Sequence, residues 1–135
     1  MKVYVDTSVI GGCFDDEFKQ WSNLLVEEFK VSLKALVLSD LVTQEIQLAK
    51  DNVRNKLIEL QEINHHYFKV DIEAIKLAET FIVEGALTNK SFNDALHIAL
   101  ATINNVDVLA SWNFKHIVNI TRIRGYNSVN IKSGH

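Results

Sequence analysis

The sequence predicts an α/β fold in which a mostly parallel sheet is covered by helices on both faces. Three observations carry this. Short apolar, β-prone runs at residues 3–5, 35–38 and 106–110 are separated by longer stretches with apolar residues three and four apart. One of those stretches, residues 95–101, is apolar nearly all round, as in a buried helix. Strands alternate with helices along the chain, as crossover connections in a parallel sheet require.

Taken in order, Val3-Tyr4-Val5 reads as a buried first strand that stops at the polar turn Asp6-Thr7-Ser8. Gly11-Gly12 punctuates the loop that follows. Residues 15 to about 30 form an amphipathic helix, with Phe18, Trp21, Leu24, Leu25 and Phe29 at helical spacing and acids in its first turn. Residues 35–38 are a second buried strand. Ser39-Asp40 then caps a helix reaching about residue 50, with Leu41, Val42, Ile46 and Ala49 inward. Residues 51–61 form another helix on the stripe Val53, Leu57, Ile58 and Leu60. A weak strand follows at 66–70. Asp71 opens a helix with Ile72, Ile75, Leu77, Ala78 and Ile82 inward, ending at Gly85. Ser91 opens the apolar helix, residues 106–110 form a strand, and Trp112-Asn113-Phe114 lies at that strand's C-terminal end. A short helix near 119–124 and a strand near 129–131 complete the reading.

The 135 residues suit a single domain spanning 1–135. A content of 47% hydrophobic and 23% charged residues excludes a disordered chain. One Cys excludes a disulfide framework and a zinc site built on several thiolates. No apolar run approaches the roughly 20 residues of a membrane span, and the N-terminus has no signal-peptide core. These features predict a cytoplasmic protein without a membrane partner. The net charge of −3 is unevenly spread. All 17 acidic residues precede Val108, so the segment through Asp107 carries −7 and the remainder, with Lys115, Arg122, Arg124 and Lys132, carries +4.

In open α/β sheets, ligands bind beyond the carboxyl ends of the strands. Asp6 ends the first strand, Ser111, Trp112 and Asn113 end the late one, Glu45 lies in the helix after the second, and Asp94 is in the first turn of the apolar helix. Each has an ordinary explanation. Asp6 can cap a turn, Glu45 can be a solvated helix residue, and Asp94 completes a capping box with Ser91. Together they point elsewhere. Three carboxylates converging on one sheet edge repel unless a counter-ion joins them. A hard divalent cation, Mg²⁺ or Mn²⁺, takes carboxylate oxygens, waters and substrate phosphate. The matching chemistry is metal-assisted phosphodiester hydrolysis.

The segment Val3-Tyr4-Val5-Asp6-Thr7-Ser8-Val9-Ile10 resembles the opening strand and first acidic motif of PIN-domain nucleases. Asn93-Asp94-Ala95-Leu96-His97-Ile98-Ala99 resembles a further block of that family, and Leu109-Ala110-Ser111-Trp112-Asn113-Phe114 its late strand and fourth motif position. Glu45 falls where the family places its acid after the second strand. The resemblance extends over the whole chain and is strongest to VapC-like toxins of type II toxin–antitoxin pairs. It implies a PIN-like three-layer α/β/α sandwich and a ribonuclease dependent on Mg²⁺ or Mn²⁺. Asp6, Glu45 and Asp94 would hold the metal, Thr7 and Ser8 would shape the turn that aims Asp6, and Ser111 would support the site through hydrogen bonds. Asn113 stands at the fourth acidic position, where it keeps a carbonyl but brings no charge. One principal metal is therefore expected. Asn113 would hold a water or a phosphate oxygen, and Lys115, Arg122 and Arg124 would engage the RNA backbone. The resemblance also implies a cognate antitoxin and a homodimer.

Two other classes, one enzymatic and one a receiver-like domain, fit poorly. An aspartyl-phosphate phosphatase wants Asp-x-Asp after the first strand, but residue 8 is Ser. A receiver-like domain needs an acidic pair near that strand, and Asp15-Asp16 lies too far along. A PIN-like module that binds RNA or protein with an impaired site remains the alternative, supported by Asn113. His65-His66 lacks acidic neighbours at metal spacing, His97 reads as a hydrogen-bonded core residue, and His116 reads as a surface imidazole. Cys13 lacks the flanking signature of a nucleophile.

Overall fold

The computed structural model describes residues 1–85, 91–113 and 116–119, the last four as backbone. The chain begins with β1 (Lys2–Val5), whose Val3, Tyr4 and Val5 are fully buried. Helix α1 (Thr7–Gly12) follows at once. It replaces the expected loop, because the Asp6 side chain caps it by accepting from the Val9 amide. Residues 15–18 turn rather than extend the next helix: the Asp15 carboxylate takes the Glu17 amide at 2.8 Å. Helix α2 (Lys19–Lys30) therefore starts four residues later than the acids suggested, and buries Ser22, Leu25, Val26 and Phe29. Trp21 and Leu24 lie on its exposed side.

Strand β2 (Ala35–Ser39) leads into α3 (Asp40–Ile46), capped by the Ser39 hydroxyl. This helix stops short of residue 50, where the Arg54 guanidinium captures the carbonyls of Gln47 and Ala49 instead. Arg54 belongs to α4 (Asp51–Gln61), whose Ile58 is exposed while Leu57 and Leu60 are buried. Strand β3 (His65–Phe68) is followed by α5 (Ile72–Val83), capped by Asp71. Its inward face is Ala74, Leu77, Ala78 and Phe81, a regular three-and-four stripe that leaves Ile72 and Ile82 outside. Gly85 follows with φ of 69°, as a glycine beyond a helix end can. Helix α6 (Phe92–Ile103) carries the foreseen capping box of Ser91 and Asp94, and is buried from Ala95 through Thr102. Strand β4 (Val108–Ser111) is wholly buried. An unforeseen strand, β5 (His116–Asn119), runs antiparallel to it. Apart from Asn119, which ends β5, the helix expected near 119–124 and the strand near 129–131 lie outside the described residues.

The sheet order is β3-β2-β1-β4-β5, with the first four strands parallel. The chain moves outward from β1 through β2 to β3, then returns across the sheet to β4. With right-handed crossovers, the connections in the two directions place their helices on opposite faces. The helix contacts follow that division: α1 packs against α2, α3 and α4, and α5 packs against α6. The result is an α/β/α sandwich with its direction reversal between β1 and β4. That reversal is the topological switch point, where the carboxyl ends of neighbouring strands open a crevice.

Candidate functional site

Asp6 stands at this crevice, one residue beyond β1, with its amide bonded to the Ala110 carbonyl of β4. Its side chain is 1% exposed. Oδ1 accepts from the Ser8 hydroxyl at 2.6 Å and from the Val9 amide at 3.2 Å. The Ser111 hydroxyl also bonds to this carboxylate. Both serines are themselves held by amides beyond β4: Trp112 N–H donates to Ser8 Oγ at 2.9 Å, and Asn113 N–H donates to Ser111 Oγ at 3.2 Å. The end of β4 thus points two hydroxyls at Asp6. Burial nevertheless pushes the Asp6 carboxyl above the usual aspartate range, against the pull of Ser111 and Ser8.

Glu45 projects from α3 and is half-buried rather than solvated. Its Oε1 accepts from Thr7 Oγ1 at 2.6 Å and from His97 Nε2 at 2.7 Å, and its Oε2 accepts from Asn93 Nδ2 at 3.2 Å. Burial pushes this carboxyl up, but the bonds from His97, Thr7 and Asn93 outweigh it, and Glu45 lies below the usual glutamate range. Thr7 therefore serves Glu45 directly, where the sequence suggested only a turn around Asp6. Asp94 caps α6 with Oδ2 toward the Ser91 amide and receives Asn113 Nδ2 on Oδ1 at 3.3 Å.

Side chains next to one another in sequence complete the rim. Thr7, beside Asp6, reaches Glu45; Asn93, beside Asp94, reaches Glu45; Asn113, two residues past Ser111, reaches Asp94. Thr7 and Asn93, the sequence neighbours of Asp6 and Asp94, are thus both tied to Glu45, and Asn113 is tied to Asp94. The capping roles of Asp6 and Asp94 are real: Asp6 caps α1 and Asp94 completes the capping box of α6. Lys115, Arg122 and Arg124 lie outside the described residues.

The donor set of carboxylates plus an amide carbonyl suits a hard divalent cation. The carboxylates are not drawn into a ready cage: among the described residues no three His, Cys, Asp or Glu side chains are grouped as a metal site. In the chain by itself, the amide groups of Asn93 and Asn113 and the hydroxyls of Thr7, Ser8 and Ser111 satisfy these oxygens.

Sequence reasoning placed His97 in the core, which is right, but missed its contact. The ring is 2% exposed, bonded to Glu45 on one side and to the Tyr4 hydroxyl on the other. Its position three residues after Asp94, on the same helix, is the available signal. His65 bonds locally to the Ile63 carbonyl. Cys13 is buried beside the Val9 carbonyl, and burial pushes its thiol up, opposite to a reactive thiolate.

No protein-family model matches the chain, and no curated protein is similar to it in sequence. Solved structures do match. One is VapBC2 from Rickettsia felis bound to a DNA fragment from their promoter, at 17% identity and a TM-score of 0.63, covering 91% of this chain and 93% of that one. Another is VapC20 from Mycobacterium tuberculosis, a sarcin-ricin loop cleaving toxin, at 16% identity and a TM-score of 0.61, covering 83% and 92%. At such identities the likeness is one of architecture: the chain has the VapC-like PIN-domain fold.

Proposed function

We propose that the chain is a divalent-metal-dependent ribonuclease acting in the cytoplasm as the toxin of a type II toxin–antitoxin pair. The observation that carries this reading is that Thr7 and Asn93, the neighbours of Asp6 and Asp94, both bond to Glu45, while Asn113 bonds to Asp94, beside the switch point. The fold shared with VapC20 and VapBC2 supports it. In this reading Asp6, Glu45 and Asp94 hold Mg²⁺ or Mn²⁺, which when bound would offset charge on the phosphodiester and acidify a water.

The side chains supply the rest. Ser8 and Ser111 hold the buried Asp6 carboxylate in place. Glu45 is kept ionised by its three donors, so it or Asp94 can accept a hydrogen bond from the attacking water and set its line of approach. Asn113 turns toward a water or a phosphate oxygen, and Lys115, Arg122 and Arg124 meet the RNA backbone. A cognate antitoxin and a second copy of the chain are the protein partners. The exposed Trp21 and Leu24, beside Phe18 and Trp112 in a groove of about 490 Å³, are consistent with a covered apolar face.

The test is RNA cleavage by the purified chain with Mn²⁺, beside Asp6→Ala and Asp94→Asn. Losing a direct ligand should lower the rate by more than the roughly 10–100-fold typical of an outer partner. Mn²⁺ affinity should fall in Asp94→Asn. Equal cleavage by wild type and Asp6→Ala would sink the nuclease reading at this site. A second reading, a PIN-like binding module, draws on Asn113, which brings no charge to the rim. RNA binding without cleavage at saturating Mn²⁺ would select it.

A further inference from the structure

Behind the rim runs a buried line of polar groups that ends on Glu45. Ser39 ends β2, Tyr4 lies in the middle of β1, and His97 lies in the middle of α6. All three are at most 2% exposed. The Tyr4 hydroxyl is 2.6 Å from Ser39 Oγ and 2.7 Å from His97 Nδ1, and His97 Nε2 is 2.7 Å from Glu45 Oε1.

The Glu45 carboxylate can only accept, which fixes the bond that matters in this line, and with a neutral His97 ring the other directions follow. The Val42 amide donates to Ser39 Oγ. Ser39 can then pass its own hydrogen to the Tyr4 oxygen, and Tyr4 passes its hydrogen to His97 Nδ1. That leaves the ring hydrogen on Nε2, where it meets the carboxylate of Glu45. The reverse direction fails at the end that matters. A hydrogen on Nδ1 alone would set the Nε2 lone pair against an ionised carboxylate. Two of the lone pairs of Oε1 are then taken, by Thr7 and His97, and Oε2 is the oxygen turned toward Asn93 and the rim.

We propose that His97, held by Tyr4 and Ser39, is a positioning residue that fixes the Glu45 carboxylate so that it serves the site through Oε2. The inference rests on the nuclease reading and deepens it. Three secondary-structure elements are locked by packing around this line, so the Glu45 side chain inherits the rigidity of the core. An exposed glutamate on a short helix has no such restraint, and a misaligned first contact is what an outer hydrogen-bond partner prevents.

The experiment has one arm without metal and one with it. In the first, nitrogen NMR of the ¹⁵N-labelled full chain reads the His97 tautomer. The expected form carries its hydrogen on Nε2; a ring with its hydrogen on Nδ1 alone overturns the proposal. In the second, Mn²⁺ binding is measured by titration for wild type, His97→Leu, His97→Gln and Tyr4→Phe, with RNA cleavage and melting followed beside it. His97→Leu should bind Mn²⁺ about 10–100-fold more weakly. His97→Gln, whose amide can reach Glu45 from nearly the same place, should recover most of that loss. Tyr4→Phe keeps the packing and removes only the hydroxyl, so it should give a smaller loss with kcat falling more than KM rises. This variant, with the tautomer measurement, keeps the test decisive if His97→Leu does not fold. Wild-type affinity in both His97→Leu and Tyr4→Phe overturns the positioning role while leaving the nuclease reading intact. A wild-type chain that binds no Mn²⁺ overturns the reading itself, and this inference with it.

Discussion

Asp6 is a carboxylate at 1% exposure, held by two hydroxyls and an amide, with burial raising its pKa above the ordinary aspartate range. A raised acid is one the folded chain protonates more readily than the unfolded chain does. Its contribution to stability is therefore full below the ordinary aspartate value and is lost as pH climbs through the folded value. Above that folded value the metal-free chain carries a charge that burial disfavours. Asp6→Asn keeps the shape and the acceptor for Ser8 and Val9 while removing that charge. In thermal melts at pH 7 without metal, this variant should melt a few degrees above wild type, and the gap should close as pH falls below the usual carboxylate range. A variant that melts lower at pH 7 would show that the hydrogen bonds, not desolvation, dominate at Asp6. Positions such as Asp6 and Asp94 were legible in the sequence because each follows a strand end or opens a helix. The donors around Glu45 were not, since His97 lies 52 residues away and Tyr4 a further 93 from His97 in the other direction. Those contacts exist only once β1, α3 and α6 have packed.

The first departure from the sequence reading among the elements is α1, and two neighbouring glycines explain it. Gly-Gly ordinarily signals a loop, yet both residues are helical here. A Cβ on Gly12 would stand 2.6 Å from Ser22 Oγ and 2.7 Å from the Trp112 ring, whereas a Cβ on Gly11 meets nothing within 4 Å. Gly12 is thus a packing requirement: α1 must pass close enough for Trp112 Nε1 to donate to Ser22 Oγ at 2.8 Å. Gly11→Ala should leave stability unchanged or raise it by up to about 1 kcal/mol, through helix propensity. Gly12→Ala should lower it by about 1–3 kcal/mol, as overpacking does. Denaturant titration of both variants separates the roles, and equal effects would refute the assignment. Other differences also come from tertiary context. The inward face of α5 centres on Ala74 and Phe81 rather than Ile72 and Ile82, because the partner helix α6 selects which of two apolar stripes is covered. Strand β5 is four residues long with only Ile117 and Val118 strongly apolar, too little periodicity to declare itself. The four parallel strands and most helix starts were legible, because apolar runs and side-chain caps are local signals.

At the scale of the whole molecule, the reversal of strand order between β1 and β4 collects the carboxylates, and the charge distribution decides how RNA could approach them. The segment through Asp107 carries −7, which repels a polyanion, and the segment after it carries +4 with no acidic residue. Local neutralisation of the rim carboxylates by a cation would still leave the helical surface negative. In the proposed nuclease reading, attraction for RNA would come from the basic segment, in which Lys115, Arg122 and Arg124 follow closely on β4 in sequence. Each phosphate contact releases condensed counter-ions, so the dependence of binding on salt counts such contacts, with a slope of roughly 0.7 per contact on single-stranded RNA. Replacing Lys115, Arg122 and Arg124 by Gln in the full chain should reduce the salt slope of RNA binding by about 2 if all three meet phosphates. KM should rise at low salt, and Mn²⁺ affinity should stay at the wild-type value, because the rim carboxylates are untouched. Fluorescence anisotropy with a labelled RNA across a salt series measures the slope, and Mn²⁺ titration supplies the control. A slope equal to wild type would place RNA contact elsewhere on the surface and leave the basic segment without a role in substrate binding.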